Sequence, residues 1–430
     1  MAIGGIPVIW DQGIETIERS RLRALQRTRL SWTLHWARER VPFYRERLPE
    51  GAVIDEHPIE SLRELPFTKK SDLRDQYPLG LLAVPRDEVR RFHASSGTRG
   101  KPTVVAYTEH DLTMWAEVVA RSLAAAGMKP GQTLQNAYGY GLFTGGLGLH
   151  AGAERLGLSV IPASGGQTER QVQLILDMAP DGLACTPSYA LFIAETMAKM
   201  GIHPKDTTLK TGIFGAEPWS DHMRERLEEG LGIEAVDIYG LSEITGPGVA
   251  IECVEGKNGL HVFEDFFYVE VINPNTLEPV EPGEVGELVL TTLSKEAMPM
   301  IRYRTGDLVS ENPEPCVCGR TMTRISRIHG RSDDMLIVRG VNVFPSEIER
   351  VLLAHESVGA HYQLVWEGSE ARPDLVVEVE SANPAQVDMA RIREHLKSAL
   401  SVNLTVRLVD EGVVPRSQGK AVRVVRRLQE

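Results

Sequence analysis

The sequence predicts an α/β protein, in which a large domain on a mixed, mainly parallel sheet precedes a small α+β domain. Between about residues 130 and 245, short apolar runs alternate with helical stretches, which is the pattern of βαβ units. After Gly330, strand and helix patterns follow one another within a compact tail. The 430 residues can bury more than one core. We therefore expect a large domain at 1–329 and a tail domain at 330–430, joined by a short polar segment of the kind that often serves as a hinge.

Helix start and stop signals predict the N-terminal elements. Residues 14–40 are rich in Arg, Leu and Glu and predict a helix. Val41-Pro42-Phe43 should end it, because proline disfavours helix in the residue before it. Thr108 is the predicted N-cap of a later helix, with Asp111 at the capping-box distance, and apolar residues at helical spacing continue through Leu123.

The length and spacing of apolar runs predict the remaining elements. In the large domain we expect strand 158–162, helix 167–178, strand 182–186, helix 188–200, strand 211–215, a helix around 220–230, strand 236–239, a turn at 281–284 and strand 286–292. In the tail domain we expect strand 334–339, helix 345–354, strands near 360–366 and 373–380, helix 384–400 and strand 404–409.

Composition excludes several classes of protein. The net charge of −12 argues against nucleic acid as a partner, and no apolar run is long enough to span a membrane. The first residues lack the basic region of a secretion signal. Four cysteines do not make a disulfide scaffold, so we expect a protein of the reducing cytoplasm.

A loop rich in glycine and hydroxyl groups is the most informative motif. It is Ser95-Ser96-Gly97-Thr98-Arg99-Gly100-Lys101-Pro102, called the phosphate loop below. Glycine lets backbone amides face a ligand, and the hydroxyls and lysine add donors for phosphate oxygens. It is not a Walker A loop, because only two residues separate the glycines and proline follows the lysine. The alternative for this segment alone is a polar surface turn.

Four further motifs contain groups suited to a nucleotide. In the strand and turn around 237–243, Tyr239 can stack on a flat base and Glu243 can hold Mg²⁺. Asp307, in Tyr303-Arg304-Thr305-Gly306-Asp307, can accept both hydroxyls of a ribose. Arg331 lies in the junction Gly330-Arg331-Ser332-Asp333-Asp334, and Lys420 ends Pro415-Arg416-Ser417-Gln418-Gly419-Lys420. Taken singly, an ordinary turn, a charged linker or a solvated tail lysine explains each of them.

Together, in this order, these motifs resemble the adenylate-forming superfamily of acyl-CoA synthetases, and within it the phenylacetate-CoA ligase family. The resemblance covers nearly the whole chain. Its most specific segments are 136–146, 215–219, 239–248, 302–307 and 339–346. Arg99 departs from the family pattern, which usually has threonine there.

The resemblance implies a reaction in two steps that uses ATP, Mg²⁺ and CoA. A carboxylate attacks the α-phosphate of ATP, giving an acyl-adenylate and pyrophosphate, and the CoA thiol then displaces AMP. Lys420 is expected to bridge carboxylate and α-phosphate, and Glu243 to hold Mg²⁺. The implied nucleotide site comprises Ser95, Ser96, Gly97, Thr98, Gly100 and Lys101 at the phosphates, Gly215, Ala216, Glu217 and Tyr239 at adenine, Asp307 at ribose, Arg331 near ribose or phosphate, and Asp237, Gly240 and Ser242 beside them.

The resemblance also implies that the tail domain rotates between the two steps. Asp333 is the expected pivot, and rotation brings the Gly340 segment to the pantetheine channel while withdrawing Lys420. The acid pocket is expected to involve Tyr138, Phe143, Ala216, Ile238 and Pro247. An aromatic edge suits an aryl or arylacetic acid. The alternative is that Tyr138 and Phe143 are ordinary core residues.

Cys253, His261, Cys316 and Cys318 form a second candidate site. Three thiolates and one imidazole make a closed tetrahedral zinc site, although Cys316 and Cys318 have one residue between them instead of the usual two. The alternative is a set of reduced cysteines and an unrelated histidine. Cys185 lies in a predicted strand and is expected in the core.

Two other functions remain open from the sequence. One is an adenylating enzyme that loads an aryl acid onto the phosphopantetheine arm of a carrier protein. The other is a non-catalytic nucleotide-binding relative, which the presence of Lys420, Glu243 and Asp307 disfavours. The resemblance further suggests a homodimer.

Overall fold

The computed structural model describes residues 8–49, 61–95, 102–332, 334–339, 341–369, 372–418 and 421–429. Its helices are α1 (Gln12–Glu15), α2 (Arg19–Arg40), α3 (Pro42–Arg47), α4 (Lys70–Asp75), α5 (Glu109–Ala125), α6 (Thr144–Leu156), α7 (Thr168–Met178), α8 (Pro187–Lys199), α9 (Asp221–Leu231), α10 (Pro345–Leu353) and α11 (Met389–Leu400). No helix within these ranges combines the length and the apolar character that crossing a membrane requires.

The strands of the large domain are β1 (Arg91–Ala94), β2 (Val104–Tyr107), β3 (Thr133–Asn136), β4 (Ser159–Ile161), β5 (Gly182–Cys185), β6 (Thr211–Gly215), β7 (Glu234–Leu241), β8 (Gly246–Glu252), β9 (Leu260–Val262), β10 (Phe267–Ile272), β11 (Val285–Thr292), β12 (Tyr303–Asn312), β13 (Arg324–Ile325) and β14 (Gly330–Arg331). The following strands are β15 (Leu336–Val338), β16 (Val341–Val343), β17 (Tyr362–Ser369), β18 (Arg372–Glu380), β19 (Thr405–Val409) and β20 (Val424–Gln429).

One sheet organises the large domain. Its order is β10-β11-β12-β13-β9-β8-β7-β6-β5-β3-β4, with β14 paired to β12. Strands β4, β3, β5, β6 and β7 pair in parallel with their neighbours. The remaining pairs, from β7 through β8, β9, β13, β12 and β11 to β10, are antiparallel. The predicted parallel sheet is therefore confirmed, and it continues into an antiparallel half. A separate hairpin, β1–β2, flanks the phosphate loop.

Helices cover both faces of the parallel half. Successive side chains of a strand point to opposite faces of the sheet, so neighbouring residues of β6 pack against different helices. Ile213 packs in a cluster with Val118 and Leu149, from α5 and α6. Its neighbour Phe214 packs in a second cluster with residues of α8 and α9. Leu353 and Ala360 of the tail domain also join that second cluster. The tail domain is therefore docked on the α8–α9 side of the sheet.

Local capping chemistry explains where several helices begin. Thr108 accepts a hydrogen bond from the amide of Asp111, and the Asp111 carboxylate accepts one from the amide of Thr108, which confirms the predicted capping box. Thr186 and Ser220 cap α8 and α9 by accepting hydrogen bonds from the amides of Tyr189 and Met223. The predicted helix over 14–40 was wrong as a single element. Glu18 starts α2 afresh as its N-cap, and Pro42 begins α3, since the first helical position tolerates proline.

The tail domain is built on a four-stranded sheet of order β19-β18-β17-β20. Ile348 and Leu352 of α10, with Ile392 and Leu396 of α11, pack against it. The predicted helix 384–400 was too long. Pro384–Gln386 is a short 3₁₀ turn, and α11 begins only after Asp388, whose side chain caps it.

Candidate active site

Several predicted nucleotide residues meet where parallel strands end. Gly215 is the last residue of β6, and Tyr239 and Gly240 lie near the end of the neighbouring β7. A Cβ on Gly215 would lie 2.0 Å from the Ile238 carbonyl oxygen, so only glycine allows this approach. Ala216 has a positive φ of 72°, a conformation that is costly for a residue with a side chain. The carboxyl ends of parallel strands are the usual ligand edge of such sheets.

Asp307 is the centre of a hydrogen-bonded group beside that edge. The Tyr239 hydroxyl donates to its Oδ2 at 2.7 Å, and Arg331 Nη1 donates to its Oδ1 at 2.7 Å. Pairing of β12 with β14 sets Asp307 opposite Arg331. Burial, with the Asp307 charge beside it, holds the pKa of Tyr239 well above its usual value, so this hydroxyl stays a donor. The arrangement fixes a carboxylate that can face ribose hydroxyls.

Glu243 lies on a tight turn after β7, and side chains from elsewhere in the chain donate hydrogen bonds to the main-chain carbonyls of that turn. Tyr107 donates its hydroxyl proton to the carbonyl of Thr245 at 2.7 Å. Lys295 Nζ donates to the carbonyls of Glu243 and Ile244, at 3.3 and 2.6 Å. The turn is therefore held in one conformation by two buried side chains from elsewhere in the chain.

Two cations near Glu243 were not identified from the sequence. Lys70, at the start of α4, places Nζ 3.3 Å from Glu243 Oε1. Its side chain is 40% exposed, so it can also meet an incoming phosphate. Lys295 is fully buried, and burial lowers its pKa to about 8. The available signal for Lys295 was a lysine within the mainly apolar stretch 288–301, whereas Lys70 has no local signal.

Asp237, another predicted nucleotide residue, lies inside β7 in a buried network of charges. Its amide donates to Glu252 Oε2 at 2.9 Å, and Arg224 Nη2 donates to both oxygens of Glu252 at 2.9 and 2.7 Å. Burial, and then the Glu252 charge, raise the pKa of Asp237 to about 7, against the effect of Arg327, Trp219 and Arg224. The network ties β7 and β8 to α9, and a contact of Asp237 with nucleotide stays a prediction.

This raised pKa predicts a pH-dependent stability. In the unfolded chain the pKa of Asp237 is about 4. Between pH 4 and 7 the folded chain therefore binds more protons than the unfolded chain, and its free energy of unfolding falls as the pH rises. Asp237→Asn stays neutral throughout and should therefore gain stability relative to wild type as pH increases to 8. Urea unfolding at pH 5 and pH 8 measures the change, with Asp177→Asn on the exposed side of α7 as control. An equal difference at both pH values contradicts the assignment.

The residues predicted for the acid pocket lie in different surroundings. Tyr138 and Ile238 are buried, and Pro247 is partly buried. Ala216 is exposed, and Phe143 is 54% exposed at the N-terminus of α6. Burial raises the pKa of Tyr138, and Cys185, Asp237 and Glu217 act in the same direction. Their contact with an acid stays a prediction.

Several predicted residues lie outside the described part of the chain. These are Ser96, Gly97, Thr98, Gly100 and Lys101 of the phosphate loop, the pivot Asp333, Gly340 and Lys420. Ser95 is described, and its hydroxyl accepts from the Thr103 amide at 3.2 Å. Ser242 Oγ lies 3.3 Å from Thr144 Oγ1.

The four predicted zinc ligands come together. Their ligand atoms all lie within 4.8 Å of one another. Cys253 Sγ is 3.5 Å from Cys316 Sγ, and Cys318 Sγ is 3.4 Å from His261 Nε2. Tetrahedral zinc with ordinary bond lengths puts such atoms roughly 3.5–3.8 Å apart. Gly256 leaves room for the cluster, because a Cβ there would lie 3.0 Å from Cys316 Sγ and 3.2 Å from Cys253 Sγ. The donor set and spacing therefore fit zinc.

Family models identify the class of protein. Residues 40–294 match the model described as AMP-binding enzyme, and residues 340–427 match that of the AMP-binding enzyme C-terminal domain. The α/β fold and its smaller C-terminal domain agree with this match. The protein is an adenylate-forming enzyme of the AMP-binding class.

Curated relatives identify the family within that class. The chain is 51% identical over 440 residues to the phenylacetate-coenzyme A ligase of Thermus thermophilus, covering 97% of this chain and 99% of the relative. It is 50% identical to the enzymes of that name from Pseudomonas putida and Escherichia coli, each time over 96% of this chain. The chain belongs to the phenylacetate-CoA ligase family, which confirms the resemblance seen in the sequence.

Solved structures of one relative represent two states of its reaction. A 2-hydroxyisobutyryl-CoA ligase, 29% identical, superimposes with a TM-score of 0.89 in its postadenylation state, covering 97% of this chain and 92% of the relative. The same enzyme in its thioesterification state gives a TM-score of 0.73 at 30% identity and the same coverage. This chain therefore superimposes better on the postadenylation state than on the thioesterification state.

Proposed function

We propose that this chain is an ATP-dependent acid-CoA ligase that activates an aryl or arylacetic acid and releases AMP and pyrophosphate. The observation that carries the proposal is the approach of the tail domain to the nucleotide site. The amide of Ala421, the residue after Lys420, donates to Glu217 at 2.8 Å. Glu217 in turn follows the strand end at Gly215. The identity to several phenylacetate-coenzyme A ligases supports the acid class.

The chemistry needs positioning and positive charge more than a protein nucleophile. A carboxylate oxygen of the acid bonds to the α-phosphorus of ATP, and the bond to the β-phosphate breaks to release pyrophosphate. The CoA sulfur then bonds to the acyl carbon, and the bond to AMP breaks. Asp307 holds the ribose through both steps, and Lys420 neutralises charge in the first. Bound Mg²⁺ would supply further positive charge to the phosphate oxygens, and the buried carboxylate of Glu243 would hold it.

Buried aromatic and aliphatic surface supports an aromatic acid as substrate. Tyr138 and Ile238 lie beside the strand ends that carry the nucleotide residues. Offset or edge contacts between aromatic rings stabilise by about 0.5–1.5 kcal/mol beyond burial, which favours an aryl group over an aliphatic chain of similar size.

Pyrophosphate release with a panel of carboxylic acids tests the function. With MgATP, we expect release with arylacetic or aryl acids, and CoA thioester when CoA is added. Thioester on a phosphopantetheinylated carrier protein, with none on free CoA, would favour the carrier-loading enzyme instead. ATP binding without pyrophosphate release for any acid would contradict the ligase and favour a non-catalytic relative.

We further propose that Cys253, His261, Cys316 and Cys318 hold a structural zinc ion. All four protein ligands are present, so no open position remains for substrate. The cluster joins the end of β8 to β9 and to the loop before β13. Next to it, Arg320 donates to Glu15 at 2.6 Å with both side chains fully buried, which ties the same loop to α1. Zinc would therefore stabilise this corner of the large domain.

Substitution of one zinc ligand should lower both the zinc content and the thermal stability of the protein. Protein purified without chelator is expected to contain about one zinc per chain. Cys318→Ser should lose most of it and lower the Tm by roughly 5 °C or more, because metal bound only to the folded state stabilises that state. Elemental analysis and thermal unfolding measure both effects. Cys185→Ala, in the core away from the cluster, should keep its zinc, and a wild-type protein without zinc contradicts the proposal.

A further inference from the structure

We propose that Glu217 is a positioning residue that holds the tail domain in the arrangement for adenylation, by binding the backbone next to Lys420. This inference rests on the proposed function, because it assigns Glu217 to one of that function's two steps. The sequence placed Glu217 at adenine. The contacts of its carboxylate point instead to the join between the two domains.

Both oxygens of Glu217 are occupied by main-chain amides from different domains. Oε1 accepts from the amide of Ser188, in the first turn of α8, at 2.7 Å. Oε2 accepts from the amide of Ala421, in the tail domain, at 2.8 Å. Hydrogen bonds to a charged group are stronger than those between neutral groups. The carboxylate therefore connects a rigid helix of the large domain to the residue that follows Lys420.

A second carboxylate also joins the two domains, but here the carboxylate belongs to the tail domain and the amide to the large domain. Glu349, on α10 of the tail domain, accepts from the amide of Ser220 in the large domain at 3.3 Å. Its other oxygen accepts from the Tyr362 hydroxyl at 3.0 Å and lies 3.5 Å from Arg423 Nη2. Arg423 Nη2 also lies 3.3 Å from Ser188 Oγ. The guanidinium balances the two carboxylates, and each domain offers one acceptor to the other.

Gln418, two residues before Lys420 in the sequence, also contacts the large domain. A Cβ on Gly165 would lie 2.8 Å from the carbonyl oxygen of Gln418, so the main chain of the tail domain passes directly over this glycine. Gly166 has a φ of 92° and lies against the Gln418 side chain. Residues 418 and 421, on either side of Lys420 in the sequence, are therefore both fixed against the large domain.

These contacts belong to one arrangement of the domains. The chain resembles the postadenylation state of its relative more than the thioesterification state. Rotation of the tail domain would carry Ala421 away from Glu217 and break the contact. The adenylate stays bound through both steps. A residue that binds adenine therefore affects both half-reactions, whereas a residue that positions the tail domain affects the first.

Glu217→Gln tests this distinction at nearly constant side-chain size. The variant loses the charge, and its amide nitrogen cannot accept a hydrogen bond from an amide. We expect pyrophosphate release to fall roughly 10- to 100-fold. Thioester formation from a supplied acyl-adenylate should be unchanged. Gly165→Ala should shift the same way, because its methyl group displaces Gln418. Lys199→Ala, which removes an exposed 3.1 Å ion pair with Glu411 across the same interface, is the matched control and should change neither step.

An activity-independent measurement keeps the inference separate from the proposed function. Energy transfer between dyes at the exposed positions 205 and 397, one in each domain, reports the arrangement of wild type and variant. We expect Glu217→Gln to depopulate the wild-type arrangement. Equal loss of both half-reactions, or unchanged energy transfer, overturns the inference. A wild type that releases no pyrophosphate with any acid overturns the proposed function, while the energy-transfer comparison still decides the role of Glu217.

Discussion

Substitution of Lys420 by alanine is expected to reduce pyrophosphate release by roughly 10²–10³-fold, the usual cost of removing one positively placed donor from a developing charge. Conversion of a supplied acyl-adenylate to CoA thioester should be unaffected, because the proposed rotation of the tail domain withdraws Lys420 before that step. The hydrogen bond from the Ala421 amide to Glu217 supports this split, since it joins the tail domain to the residue that follows Gly215 and Ala216 at the nucleotide site. Single-turnover measurements of each half-reaction give the two rates.

Lys397→Ala provides a matched control for Lys420→Ala. Lys397 is an exposed lysine on α11 of the same domain, so its removal tests the loss of a charge without loss of a site. We expect wild-type rates in both half-reactions. Equal loss of both half-reactions in Lys420→Ala would contradict the assignment of the lysine to the first step alone.

Asp307→Ala should slow both half-reactions, and it should lower kcat/KM for ATP in the first by roughly a hundredfold or more. The carboxylate would make two hydrogen bonds to ribose, and bonds to charged groups contribute about 1.5–3 kcal/mol each. Its loss also removes the acceptor of the buried Tyr239 hydroxyl and the partner of Arg331 Nη1. ATP binding by calorimetry and the two half-reaction rates measure the effect.

The pattern across the two steps distinguishes Asp307 from Lys420. Because AMP remains bound until thioester forms, a ribose ligand must also affect thioester formation from supplied acyl-adenylate. Asp177→Ala, on the exposed side of α7, should retain wild-type binding. Normal ATP affinity in Asp307→Ala would exclude the ribose contact.

Much of the parallel half of the sheet could be predicted from the sequence, because strands β4 to β7 contain short apolar runs and Thr186 and Ser220 cap the helices α8 and α9. Strand β3, Thr-Leu-Gln-Asn, has no such run and was not predicted. Strand 211–215 and the helix capped by Thr108 are confirmed within a residue or two. Strand β8 was not predicted, because it begins with Gly246 and Gly248, and glycine is uncommon within strands. Both glycines have a positive φ. The last strand, β20, contains two arginines and has the composition of a solvated tail.

The site was predictable only in part, for a different reason. The resemblance supplied Tyr239, Asp307 and Arg331, and the fold brings them within hydrogen-bonding distance although 68 residues separate the first two. Lys295 acts on the turn that carries Glu243 from 52 residues away, so no local pattern connects them. The homodimer and the positions of the domain boundary stay predictions, and light scattering would test the former.

Strand β14 has a consequence for the fate of the intermediate. Its pairing with β12 makes Arg331 part of the large sheet, two residues before Asp333 in the sequence. A tail that turns at Asp333 can swing without disturbing the bond between Arg331 and Asp307. With the ribose held by Asp307 as proposed, the acyl-adenylate stays bound during the rotation, so little of this hydrolysable compound should escape into water before CoA binds.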